Sequence, residues 1–107
     1  MSFESLTMDV LRWSEARGIV QNSTSWAQYI KATSEMGELG DAILKKDRAA
    51  LIDGLGDVLV CLINVAAIED VDLTQCLAAA YDQIKDRRGF LNKEGVFIKE
   101  SSHAQTP

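Results

Sequence analysis

Two pairs of carboxylates, Glu35 with Glu38 and Asp53 with Asp57, stand three and four residues apart in stretches that read as helix. Those spacings place each pair on one side of its helix. Facing each other across a helical hairpin, the pairs would form an oxygen-only cage, the donor set that Mg²⁺ or Mn²⁺ prefers. Each pair also has a plainer reading. Glu on a helix is usually solvated, and acids near a helix start suit the helix dipole, which explains Asp53 well and Asp57 poorly. A carboxylate moved out of water without a partner is costly or neutralises, and a bound cation removes that penalty.

These acids must be positioned by helices. One proline, seven glycines and few β-branched runs in 107 residues favour an all-α domain. Phe3, Leu6, Val10, Leu11 and Trp13 repeat near helical period, which predicts a first helix over Phe3–Arg17 that stops at Gly18. Ser23, Thr24 and Ser25 offer N-caps, and Ser25 with Gln28 has capping-box spacing, so a second helix is expected from Trp26 to Lys45. Its expected core stripe is Trp26, Tyr29, Ile30, Met36, Leu39 and Ile43, with Lys31, Glu35, Glu38 and Ala42 on a separate line. Asp47 caps a third helix, Arg48–Ile68, apolar nearly all round beyond Asp57 and therefore expected in the middle of the fold or in a subunit interface. Asp53, Asp57 and Asn64 share one line of it. Asp72 or Thr74 starts a fourth helix that is expected to reach Arg88.

Phe90-Leu91 and Val96-Phe97-Ile98 flank Asn92-Lys93-Glu94-Gly95, which suggests two short extended pieces around a turn. A single domain over residues 1–98 is expected, with a flexible tail over 99–107 that frays from Ser101 and holds His103, the one histidine, in solvent. Gly37, Gly40, Gly54 and Gly56 flank both acidic pairs. Glycine is costly inside a helix, so they hint at a close approach of two helices.

Composition narrows the function. A net charge of −5 argues against bulk nucleic-acid binding, while an acidic chain can still take a polyphosphate through metal ions and a few local Lys and Arg side chains. The longest apolar run, Val58 to Ile68, is broken by Asn64 and is short of the ~20 residues that span a bilayer, so no membrane helix is expected. Neither is a signal peptide, since the N-terminal stretch carries acids and lacks a continuous apolar block. Cys61 and Cys76 lack metal-ligand spacing and read as reduced thiols of a cytoplasmic protein.

Lys31 through Leu44, then Gly56-Asp57-Val58-Leu59, then Ala79-Ala80-Tyr81-Asp82-Gln83-Ile84-Lys85-Asp86-Arg87-Arg88-Gly89 resemble the MazG-like nucleotide pyrophosphohydrolases of the all-α NTP pyrophosphatase superfamily, over roughly residues 10–98. That family carries Glu-Glu-x-x-Glu on one helix and Glu-x-x-Asp on the next. Glu35 and Glu38 match the second and third acids of the first motif, and Asp57 matches the last acid of the second. Ser34 and Gly54 stand where the two remaining Glu residues are found, with Asp53 beside Gly54.

The resemblance implies a four-helix bundle completed by oligomerisation, as a homodimer or homotetramer, with the site near the interface. It implies Mg²⁺, with Mn²⁺ as an alternative, held by Glu35, Glu38, Asp53 and Asp57. The implied reaction cleaves nucleoside triphosphates to monophosphate and pyrophosphate, for which Glu35, Glu38 and Asp57 are the catalytic candidates. Lys31, Lys85, Arg87 and Arg88 are candidates for phosphate, Trp26 for stacking on the base, and Asn64 either for a ligand hydrogen bond or as a satisfied buried amide. A nucleotide-binding regulatory protein and a helical interaction module are the alternative functions.

Overall fold

The computed structural model describes residues 1–100; the expectations for His103 and for a frayed end over 101–107 lie outside the described residues. Among the described residues there are five helices and one two-stranded sheet, an all-α chain as the periodicity predicts. It divides into two units, Met1–Thr74 and the chain from Gln75 onward.

In the first unit α1 (Phe3–Ala16) is capped by Ser2, whose hydroxyl accepts from the Ser5 amide in a reciprocal capping box. Phe3, Leu6 and Trp13 stay exposed, and the one fully buried residue of this helix is Ser14. The stop expected at Gly18 is present, but its left-handed φ of 77° also caps a further helix, α2 (Ile19–Asn22). That makes five helices where the pattern predicts four.

Thr24 caps α3 (Ser25–Lys45), accepting from the Ala27 amide at 3.0 Å. Ser25 is thus already helical, so the expected Ser25–Gln28 capping box does not form, and the Gln28 amide is used elsewhere. The helix α4 (Arg48–Ile68) has the predicted bounds, with Asp47 as N-cap accepting from the Ala50 amide at 3.1 Å. It packs along α3 and also touches α1 and α2, which puts it at the centre of this unit. By length and composition alone α4, longer than the Val58–Ile68 run, is long and apolar enough to cross a membrane, a test that the core helix of a soluble protein also passes.

The expected core stripe of α3 is corrected by the structure. Trp26, Tyr29, Ile30, Met36 and Ile43 are exposed, and only Leu39 of that set is buried. The buried line is Ala32, Glu35, Leu39 and Ala42. Side-chain size explains the inversion: alanines on α3 and Gly54 on α4 let the backbones approach, which bulky residues on that line would prevent. A methyl group built at Gly54 would lie 3.3 Å from Leu39 Cδ1 and 3.4 Å from its Cα.

The helix α5 (Leu73–Ile84) leads into the second unit and ends before Lys85, one turn short of the predicted Arg88. Beyond it β1 (Gly89–Leu91) and β2 (Phe97–Lys99) pair antiparallel, with Phe90 opposite Ile98, close to the expected extended pieces. The Asn92 carboxamide oxygen accepts from the Glu94 and Val96 amides and shapes the turn, with Gly95 at φ 83°. Gly89 has no room for a side chain, since a Cβ there would sit 2.1 Å from the Ile98 carbonyl oxygen.

Candidate functional site

The antiparallel α3–α4 hairpin carries the acids. Glu35 lies on the α3 line turned toward α4 and is only 8% exposed. One of its oxygens, Oε1, receives the Lys31 ammonium from one turn earlier at 3.2 Å. The other, Oε2, is buried and has no hydrogen-bond partner. A buried carboxylate oxygen in that state is rare in a folded protein unless it serves a cation or a donor from outside.

The neighbouring groups respond to that charge. Glu38, exposed at the edge of the hairpin, has its pKa raised, first by a hydrogen bond shared with Glu35 and then by the repulsion of that carboxylate. Asp57, half-buried, is raised first by burial, then by the charges of Asp53 and Glu35 and by a hydrogen bond with Asp53. The Lys31 ammonium is held above its ordinary value, chiefly by its hydrogen bond to Glu35 and next by that carboxylate's charge. Burial pushes up the Cys61 thiol, one turn beyond Asp57, and the Glu35 charge adds to it. Four acids repel one another here, with Lys31 as the cation that offsets them.

The donor set consists of hard carboxylate oxygens, which suits Mg²⁺ or Mn²⁺, and the orphaned Glu35 Oε2 is an atom such an ion would satisfy. The acids stand as two pairs and not as a finished cage: among the described residues no three His, Cys, Asp or Glu side chains converge on one ion position. At Gly54, where the resemblance expects Glu, the Cβ direction runs into Leu39, so the position is filled by the close approach of the two helices, and Asp53 beside it is exposed.

Asn64 lies deeper on the α4 line, 3% exposed, and its amide is engaged within the protein. Its Oδ1 accepts from Ser14 Oγ at 2.5 Å, and its Nδ2 donates to Gln28 Oε1 at 3.0 Å. Gln28 Nε2 in turn donates to Ser23 Oγ at 3.1 Å. Asn64 is therefore the satisfied buried amide of the two readings above. Ser14 is not among the sequence candidates, and Gln28 enters there only as a capping-box partner of Ser25; Ser14 is the one buried residue of α1, so no burial pattern along its helix marks it.

Of the remaining candidates, Trp26 is 69% exposed and stacks on Tyr29 with ring centroids 5.4 Å apart. Lys85 and Arg88 belong to the second unit, where Lys85 pairs with Asp82 at 2.8 Å and Arg88 is exposed beside β1. A cleft of about 360 Å³ in the first unit, lined by Met8, Leu11, Ile63, Ala67 and Val71 among others, includes none of the four acids.

A family model described as the MazG nucleotide pyrophosphohydrolase domain matches residues 21–89, which include both acidic pairs and Lys31. The chain is 30% identical over 69 residues to the uncharacterised 18.2 kDa protein of the rep-hol intergenic region of Haemophilus phage HP1. That alignment covers 64% of this chain and 42% of the phage protein, so the chain spans less than half of that relative's length. No solved structure matches it.

Proposed function

Because the chain belongs to the MazG nucleotide pyrophosphohydrolase family, we propose that it hydrolyses nucleoside triphosphates, ribo or deoxy, to the monophosphate and pyrophosphate with Mg²⁺ or Mn²⁺, as an enzyme that clears the nucleotide pool. The observation that carries this reading is the buried, unpartnered Oε2 of Glu35.

Glu35, Glu38 and Asp57, with Asp53 beside it, would hold the metal. A bound divalent cation supplies charge neutralisation for the polyphosphate and acidifies water. Water attack at the α-phosphorus breaks the α–β anhydride bond and releases pyrophosphate, with no covalent nucleophile from the chain. Cys61, the nearest thiol, is buried with a raised pKa and is poorly suited to that role. Glu38, exposed beside Glu35, is the carboxylate placed to take the proton of the attacking water. Lys31 neutralises phosphate oxygens beside Glu35, and Trp26 offers its exposed ring to the base. Lys85 and Arg88 are phosphate ligands on the strength of their charge alone.

The exposed apolar faces of α3 and α4 support assembly as a homodimer or homotetramer. Ile52, Leu55, Leu59 and Leu62 repeat at spacings of three and four along α4, and Trp26, Tyr29, Met36 and Ile43 line α3. The same stripe accounts for the hydropathy of α4 without a membrane, whose core would have to accept Asp53 and Asp57. Two free thiols, Cys61 and Cys76, fit a cytoplasmic setting. Gly54, in place of a ligating Glu, favours one second reading: a regulatory protein that binds nucleotide with weak turnover.

The test is turnover of a panel of NTPs and dNTPs with Mg²⁺ or Mn²⁺, resolving pyrophosphate from orthophosphate. Monophosphate plus pyrophosphate is the expected product pair. Tight nucleotide binding without turnover selects the second reading, and metal-independent behaviour with no nucleotide bound overturns both.

A further inference from the structure

The α3–α4 hairpin has its register fixed at two points. At one end Leu39 closes on the backbone of Gly54. Toward the other, Gln28 is hydrogen-bonded to Asn64, which is itself tied to Ser14 of α1. Ser25 Oγ also donates to Glu69 Oε2 nearby, an exposed link in the same register. The acidic layer lies between these anchors, with Glu35 and Asp57 brought level by the antiparallel run of the two helices.

The two anchors differ in kind. The Leu39–Gly54 contact is apolar and carries no directional group, so its fit depends on size alone. The Ser14–Asn64–Gln28 chain is directional and mostly buried, with Ser14 fully buried, so a shift of one helical turn would leave amide groups unpaired in the core. A buried polar residue between helices commonly specifies register at a cost in stability. We infer that the buried hydrogen-bonded chain Ser14–Asn64–Gln28 is the register lock of the α3–α4 hairpin, and that these three are positioning residues which hold Glu35 and Glu38 level with Asp57 for divalent-cation and nucleotide binding. This rests on reading the hairpin as a metal-dependent nucleotide site.

A lock and a merely structural network respond differently to an all-apolar replacement. Exchanging all three residues at once leaves no orphaned amide in the core and only the half-buried Ser23 Oγ without its Gln28 donor, so the triple variant S14A/Q28L/N64L keeps most of its thermal stability. A lock that has been removed nevertheless loosens the acidic layer, and Mn²⁺ affinity, read by electron paramagnetic resonance on the nucleotide-free protein, falls by roughly tenfold or more. The exchange variant Q28N/N64Q preserves the combined reach of the two amides and keeps Mn²⁺ affinity near wild type. It also carries the test should the triple variant fail to fold, since each single exchange, Q28N or N64Q, is then expected to bind Mn²⁺ more weakly than the pair.

Register is read separately from the nuclear Overhauser contact between the Leu39 methyls and the Gly54 α-protons. Loss or multiplication of that contact in the triple variant, together with weaker Mn²⁺ binding, supports the lock. A wild-type contact pattern or wild-type Mn²⁺ affinity in that variant overturns it. A wild-type chain that binds no Mn²⁺ overturns the metal-site reading instead, whatever the register shows.

Discussion

The two faces of the α3–α4 hairpin each depart from those of an ordinary amphipathic pair. Its inner face carries Glu35, Asp57 and Asn64 among Leu39, Cys61, Ile63, alanines and Gly54, while its outer face carries Trp26, Tyr29, Met36, Leu55 and Leu59. Each face departs from what a solitary globular chain would choose. The inner one keeps charge where water is scarce, which calls for a cation. The outer one keeps large apolar side chains in water, which calls for a protein partner. The hairpin's sequence therefore answers to two ligands of opposite chemistry, one on each side.

The sharpest way to break this contrast is on the inner face. Glu38→Ala removes a proposed metal ligand and proton acceptor from an exposed position, so the fold survives and pyrophosphate release is expected to fall by roughly 10²-fold or more. On the outer face, Leu55→Glu with Leu59→Glu puts two charges into the apolar stripe. Sedimentation should then show the oligomer replaced by monomer, while an unchanged mass would remove the stripe from the interface.

Gly54→Glu sits at the junction of the two helices and restores the residue that the family resemblance expects. The space beside Gly54 is taken by Leu39, so overpacking should cost about 1–3 kcal/mol in denaturant unfolding, with no gain in turnover. A stable and faster enzyme would show that the helices part readily.

The smallest effect is on pH. Glu38 and Asp57 have raised pKa values in the folded chain, so the folded state holds protons that the unfolded chain has already released. The stability this supplies is full below the ordinary carboxylate range, about pH 4, and is lost as pH rises through the raised values. Metal-free protein should therefore show a Tm that declines from about pH 4 toward neutrality, and added Mg²⁺ should restore most of the decline. Asp57→Asn should flatten it.

Much of the hairpin was legible from residues alone. Asp47 as a cap and the bounds of α4 followed from local chemistry, whereas the spacing of the acids did not tell that Glu35 is buried on the Leu39 line while Glu38 is exposed. Which face turned inward was not legible. Periodicity locates an apolar stripe but does not say whether it meets the chain's own core or another surface, and here Ala32, Ala42 and Gly54 decided the matter by allowing close approach. Ser14 carries no signal within its own helix, and Gln28 reads in the sequence only as a capping residue; both acquire their role through Asn64. The short helix α2 depended on the left-handed backbone of Gly18, which a stop signal does not distinguish from a restart.

The claim that joins these points is that the buried charge of Glu35 is present for a divalent cation. Its most direct test is the thermal stability of wild type and Glu35→Gln, each measured with and without Mg²⁺ at neutral pH. A cation that binds only the folded chain stabilises it by about 2.7 kcal/mol at a hundred times its Kd. Wild type should show a rise in Tm with Mg²⁺ that Glu35→Gln lacks. An equal rise in both, or none in wild type, would contradict it.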